Sequence, residues 1–253
     1  MPKNAKVQAA YKNSHVLCGD PMVAYIDDVL SVDECNHMID LAKGRVKRAR
    51  VSLTGDEAIS DGRTGSNAWL PHETDEITAR ISTRISNIAG IPLENAEAFQ
   101  VVHYGTEQEY KAHFDGYDLS TERGQSYCKK GGQRLVTALV YLNEVESGGA
   151  TTFPKLNVEV AAKPGRLALF HNCQKNTTER HPHSLHAGTS VIKGDKWVFN
   201  LWFRARPMNE AQDFKKTMIT TRKAVARLKP PENNLLQKSY FLFRYFSTSV
   251  TLN

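Results

Sequence analysis

Cysteine is scarce in this chain. Cys18, Cys35, Cys128 and Cys173 are scattered over 253 positions with no CxxC pair. Neither a zinc-ribbon site nor a disulfide framework is expected, and the thiols are read as reduced. Long apolar runs are also missing. Residues 1–10 carry two lysines and no hydrophobic stretch of the secretory kind, and no later segment approaches a membrane span. The expectation is a cytoplasmic protein with no membrane partner. No internal repeat, low-complexity tract or nucleic-acid-binding signature is visible.

What remains is the composition of an ordinary globular protein, 40% hydrophobic and 24% charged, in a chain long enough to bury a sizeable core. The net charge of +6 is uneven: residues 208–253 hold eight Lys or Arg against three Asp or Glu. A basic tail suits an acidic partner or a solvated helix face, and without a recognition motif nucleic acid is not expected.

Local patterns place the elements. Residues 1–20 read as an irregular entry segment, and 22–26 as a short strand. Ser31-Val-Asp-Glu34 is a capping box, followed by Cys35, Met38, Ile39 and Ala42 at helical spacing, with Gly44 as the stop. The polar stretch 45–69, broken by Gly55, Gly62 and Gly65, reads as strand pieces and a mobile loop. A second helix is expected from about Thr74, with Ile77, Ile81, Ile85 and Ile88 on one stripe and Gly90 ending it. Short β-branched or aromatic runs then follow at 98–104, 135–142, 158–162, 167–171 and 197–203, separated by glycine turns. In the last run Val198, Asn200 and Trp202 share one face, and Trp197, Phe199, Leu201 and Phe203 the other. Helices first and strands after predict an α+β layout. Beyond Pro207 a helix over about 210–228 and an aromatic cluster at 240–246 are expected, the latter as a last strand or a contact surface.

The candidate chemistry begins at His113-Phe-Asp115. If this tripeptide lies on a strand, positions i and i+2 share a face, and imidazole and carboxylate converge on one ion. A further nitrogen ligand would complete a two-His-one-carboxylate face with open positions, the arrangement suited to Fe(II) oxygen chemistry. Alone, the pair would equally suit a hydrogen-bonded surface contact.

The segments that follow are more specific: Gly132-Gln-Arg-Leu-Val-Thr-Ala-Leu-Val-Tyr-Leu-Asn143, Gly148-Gly-Ala-Thr-Thr-Phe-Pro154, Pro164-Gly-Arg-Leu-Ala-Leu-Phe170, and His186-Ala-Gly188 through Lys196-Trp197. In this order they resemble the catalytic domain of the prolyl 4-hydroxylase family of Fe(II)/2-oxoglutarate-dependent dioxygenases, over about residues 22–206. The resemblance implies a double-stranded β-helix (jelly-roll) core with the N-terminal helices packed outside. It implies an oxygenase domain over 1–207, with its catalytic core at about 97–206, and a basic C-terminal extension with an aromatic end over 208–253. His113, Asp115 and His186 would bind iron. His186 is chosen over His181 and His183 because Ala-Gly follows it and Lys196 comes ten residues later; the other two read as loop residues, and His103 and His171 as structural. Lys196 would grip the far carboxylate of 2-oxoglutarate, with Tyr104 and Thr151 contacting the same cosubstrate. Tyr110, Arg134 and Trp202 would line the substrate groove, with a core role competing for Trp202.

The implied reaction is hydroxylation of an unactivated C–H bond with Fe(II), 2-oxoglutarate and O2, releasing succinate and CO2, with ascorbate as reductant. Asp115 is present, whereas related halogenases lose that carboxylate. The expected substrate is a peptidyl proline in a peptide or protein. One rival is a free amino acid or other small molecule; another is an inactive binding protein working through the basic tail. Residues 45–64 and 119–130 are expected lids.

Overall fold

One strand shows how the sequence builds the architecture. Along Lys196–Arg204, Phe199, Leu201 and Phe203 are fully buried in one apolar cluster with residues of two helices, while Val198 belongs to a second cluster on the opposite face. The period-2 alternation separates an outer layer, sheet against helices, from an inner layer, sheet against sheet. The computed structural model describes residues 4–48, 50–53, 56–59 and 62–208, within the unit Met1–Asn209. The helix and aromatic cluster expected beyond position 208 lie outside the described residues.

In chain order the elements are β1 (His15–Gly19), β2 (Met22–Ile26), α1 (Val32–Lys43), β3 (Lys47–Arg48), β4 (Arg50–Leu53), β5 (Asp56–Ile59), β6 (Ser66–Leu70), α2 (Glu76–Ala89) and β7 (Phe99–Tyr104). Then come β8 (Tyr110–His113), α3 (Glu122–Tyr127), β9 (Arg134–Tyr141), β10 (Ser147–Gly148), β11 (Thr151–Phe153) and β12 (Val158–Val160). The series closes with β13 (Leu167–His171), β14 (His186–Gly188), β15 (Val191–Lys193) and β16 (Lys196–Arg204). An antiparallel sheet runs β1-β2-β13-β9-β16-β7-β6-β3, and a smaller one β12-β11-β14-β8. Side chains from both, among them Tyr104, Leu139, Tyr141, Phe153, Val160 and Phe170, interlock in the inner layer. This is the jelly-roll core with helices outside. Among the described residues, no helix is long and apolar enough to cross a membrane.

The helices follow from their sequence. Ser31 accepts from the Glu34 N–H while the Glu34 carboxylate accepts from the Ser31 N–H, closing the capping box of α1. Asp75 caps α2 through the Thr78 N–H, one residue later than Thr74 would have placed it. Gly90 ends α2 at φ +66°, where a Cβ would strike the Gln8 side chain. Ile81 and Ile85 are fully buried against the large sheet, with Ile77 and Ile88 half-buried beside them. All four cysteines are free thiols.

Three expectations need correction. Residues 1–20 are not wholly irregular: β1 pairs with β2 at the edge of the large sheet, its partly exposed face hiding the alternation. The segment 119–130 contains α3, capped by the Thr121 hydroxyl, which accepts from the Gly124 N–H. The pair His113–Asp115 does not share a strand, since β8 ends at His113.

Replacing Ile85 by Ala should lower unfolding stability by about 2–5 kcal/mol, the range for emptying a buried aliphatic site. Urea denaturation of the two proteins checks this.

Candidate metal centre and its cavity

Strand register brings the first two donors together. β8 and β14 are antiparallel, and His186 pairs directly with His113, putting the two rings 4.3 Å apart. Asp115 reaches them from the turn just past β8, so the turn and not strand periodicity aims its carboxylate inward. His113 Nε2 lies 3.7 Å from Asp115 Oδ1, and His186 Nε2 lies 3.5 Å from Asp115 Oδ2. The candidate ligand atoms of the three residues all fall within 4.8 Å of one another.

The surroundings fix the donors in the form a metal needs. His113 Nδ1 donates to the Lys111 carbonyl at 2.8 Å and His186 Nδ1 to the Ser184 carbonyl at 2.9 Å. A carbonyl only accepts, so each Nδ1 carries a proton, which leaves Nε2 as the nitrogen that can bind a metal. Burial, reinforced by neighbouring His186, pushes His113 down to about 3, so its ring is neutral at pH 7. Burial alone would raise Asp115, but His186, His113 and Arg134 outweigh it and hold the carboxyl at about 2. Asp115 Oδ2 also accepts from the Thr137 hydroxyl at 2.7 Å, which accepts in turn from Asn172 Nδ2 at 2.9 Å. Two imidazoles held through Nδ1 and one ionised carboxylate form a donor set that fits Fe(II) and leaves positions open.

The site lies on the wall of a cavity of about 1050 Å³. At its inner end is Lys196, 2% exposed, the first residue of β16 and paired in register with Tyr104. Its Nζ lies 5.5 Å from the ring centres of both Tyr104 and Tyr141. No carboxylate pairs with it among the described residues, and burial pushes it down to about 7. A buried, unpaired amine facing a cavity fits an anionic ligand. A Cβ at Gly188 would stand 3.6 Å from that Nζ and 3.8 Å from Tyr110 Cβ, so the glycine keeps the space between them open. Thr151, buried on β11, has its hydroxyl 2.7 Å from the Tyr141 hydroxyl. The amine, Tyr104 and Thr151 line the same cavity.

The cavity is also lined by Tyr110, Arg134 and Trp202. Tyr110 stacks on His113 at 3.5 Å, and burial pushes its phenol up to about 12. Trp202 is 5% exposed on the inward face of β16; its indole N–H helps hold Asp115 ionised, although Nε1 makes no well-aligned hydrogen bond. Arg134 lines the cavity with part of its side chain engaged elsewhere. Its Nε and Nη2 both donate to the Glu97 carboxylate, at 2.7 and 2.8 Å, so that side of its fork is taken internally. It offers the cavity a cationic plane 3.7 Å from the Trp202 ring centre.

Sequence reasoning missed several residues here. Arg63, 6% exposed, donates to Gln100 and lies over the Tyr110 ring at 4.8 Å, with its Nε buried and unpartnered. Its surroundings in sequence are polar and glycine-broken, and give no signal. Thr137 did leave one: a hydroxyl on the inward face of β9, in register with buried Leu139 and Tyr141. His181 and His183 stay in the loop before β14; His171 bonds the Tyr11 hydroxyl, and His103 lies 3.2 Å from Asp195.

A jelly roll with two histidines and one carboxylate on its inner wall defines a non-haem iron oxygenase. The sequence profile of the 2OG-Fe(II) oxygenase superfamily matches residues 99–204. Prolyl 4-hydroxylase 5 of Arabidopsis thaliana is 34% identical over 208 residues, covering 74% of this chain and 70% of that protein. The crystal structure of a viral collagen prolyl hydroxylase from Paramecium Bursaria Chlorella virus-1, in complex with 2OG, superimposes with a TM-score of 0.55 at 28% identity over 72% of this chain and 96% of that one. A Trichoplax adhaerens prolyl hydroxylase in complex with a hypoxia inducible factor peptide fragment shares the fold, with a TM-score of 0.51 at 16% identity over 72% of this chain and 83% of that one. The chain belongs to the prolyl 4-hydroxylase family of 2-oxoglutarate-dependent dioxygenases, enzymes of Fe(II), 2-oxoglutarate and O2.

Lys196 generates a test that needs no turnover. Its folded pKa is depressed to about 7, while the unfolded lysine titrates near 10.4. Between these values unfolding takes up a proton, so this residue's contribution to stability rises with pH. The buried thiols Cys35 and Cys173, pushed up by burial, give the opposite slope at higher pH. The difference between wild type and Lys196→Met isolates the lysine. Chemical denaturation from pH 6.5 to 10 should show the wild type gaining stability relative to the variant; a constant difference would contradict the depressed pKa.

Proposed function

We propose that this protein hydroxylates prolyl residues within peptides or proteins, at C4, with His113, Asp115 and His186 as iron ligands and Lys196 as the anchor for 2-oxoglutarate. The observation that carries the reading is the pairing of that donor set with an unpaired buried amine in one cavity. When bound, iron and 2-oxoglutarate supply the oxidation: O2 is consumed, 2-oxoglutarate becomes succinate and CO2, and one oxygen atom enters a substrate C–H bond.

The chain's own residues do the positioning. Nδ1–H donation to the Lys111 and Ser184 carbonyls holds the two imidazoles in the ligating tautomer. Thr137 holds the Asp115 carboxylate in place through Oδ2. Lys196, with Tyr104 and Thr151 beside it, gives the far carboxylate a fixed charge partner away from water. Tyr110, stacked on His113, and Trp202, beside Arg134, line the cavity with aromatic rings that keep water from the reacting carbon.

A peptide is favoured over a free amino acid by two features. The cavity, about 1050 Å³, exceeds what a single amino acid fills. Arg134, the cation best placed to pair with a free carboxylate beside Trp202, already has its Nε and Nη2 engaged by Glu97. The prolyl hydroxylase names of the relatives point the same way. An inactive scaffold is disfavoured because the donor set and Lys196 are all in place.

Incubation with Fe(II), 2-oxoglutarate and ascorbate, the proposed reductant, tests the reading. Proline-containing peptides should gain the mass of one oxygen atom on proline, with succinate formed in step, and Lys196→Met should raise the KM for 2-oxoglutarate at least tenfold. Succinate formed with free amino acids but with no proline peptide would contradict the proposal.

A further inference from the structure

The mouth of the cavity is strongly cationic. Arg45, Lys47, Arg48 and Arg123 all line it and all are exposed. They come from two separate elements, β3 with its preceding turn and α3. Among the described residues, none has a carboxylate within ion-pair range. Among the described residues, the carboxylates on the cavity wall are Asp115, which faces the two histidines, and Asp118, which is paired with Arg180 at 3.0 Å. Among the described residues the four cations therefore have no ion-pair partner, and their mutual repulsion opposes gathering them at one opening.

Resting on the peptidyl-proline reading above, we infer that the enzyme selects prolines carrying Asp or Glu within a few residues of the target, read by Arg45, Lys47, Arg48 and Arg123. The rim belongs to the same cavity as the metal centre, so an anion bound at the mouth and a group at the reactive end can belong to one ligand. Arg123 lies over the Tyr127 ring at 5.6 Å, and Tyr127 stacks on Tyr117 at 5.2 Å, so aromatic faces continue from this rim cation into the cavity. A chain with apolar residues at the proline and carboxylates beside it matches that sequence of surfaces.

Exposed ion pairs are each worth about two- to five-fold in binding, they weaken with salt, and several acting together reach roughly tenfold. Three peptides that share one target proline and differ only in flanking Glu, Gln or Lys would be compared by kcat/KM at about 0.02 M and about 0.3 M salt, either side of the ionic strength at which screening reaches ~10 Å. The Glu peptide should lead the Gln peptide roughly tenfold at low salt, and the lead should shrink at high salt. In the Arg48→Glu, Arg123→Glu double variant, confirmed folded by circular dichroism, the order should reverse in favour of Lys. Equal kcat/KM for all three peptides overturns the inference and leaves prolyl hydroxylation standing. So does a Glu preference that survives both salt and charge reversal. Hydroxyproline from none of the peptides, with 2-oxoglutarate still bound, overturns the inference and the prolyl reading together.

Discussion

The pairing of β8 with β14 is the constraint on which the site depends. These strands carry one histidine each, and their register places His113 opposite His186. A slip of one residue would turn one of the rings to the other face of the sheet and dissolve the donor set. The register is held from both sides. β14 pairs with β11 as well, and the inner layer of Phe153 and Phe170 packs against the His186 ring. The metal centre is therefore a consequence of the two-sheet core.

Charge in the interior follows the same economy. Glu97 is buried between two arginines, with Arg134 Nε and Arg204 Nε each 2.7 Å from its Oε1, so the carboxyl stays ionised despite burial. Removing one partner from such a cluster costs about 3–5 kcal/mol, because a buried charge is left exposed to its own desolvation. Lys196, like Arg63, is a buried cation with no carboxylate of its own among the described residues. A stabilising protein core would hold a methionine there. In the proposed role the amine anchors the anionic cosubstrate, and the instability it brings would be recovered when that ligand binds.

Much of this was legible in the sequence, for reasons that differ from residue to residue. The capping box of α1, the isoleucine stripe of α2 and the alternation along β16 are strong local signals, and the elements formed where they pointed. Motif order singled out the three residues that cluster in the structure, while the strand argument for His113 and Asp115 had the wrong geometry: a turn, which has no period, aims Asp115. Strands of three residues such as β11 and β14 are too short for alternation to register, and edge strand β1 is too exposed. Arg63, Gln100 and Glu97 escaped notice because their roles exist only after distant segments meet. The occupied fork of Arg134 was invisible for the same reason, since Glu97 precedes it by 37 positions.

The account's central claim is that one cavity holds iron on His113, Asp115 and His186 and 2-oxoglutarate on Lys196. The most direct measurement is anaerobic addition of Fe(II) and 2-oxoglutarate to the purified protein, following the weak visible charge-transfer band of the chelate, with His113→Ala as control. The account predicts a band in the wild type that is absent from the variant. A folded wild-type protein that gives no band, or a variant that gives the same band, would contradict it.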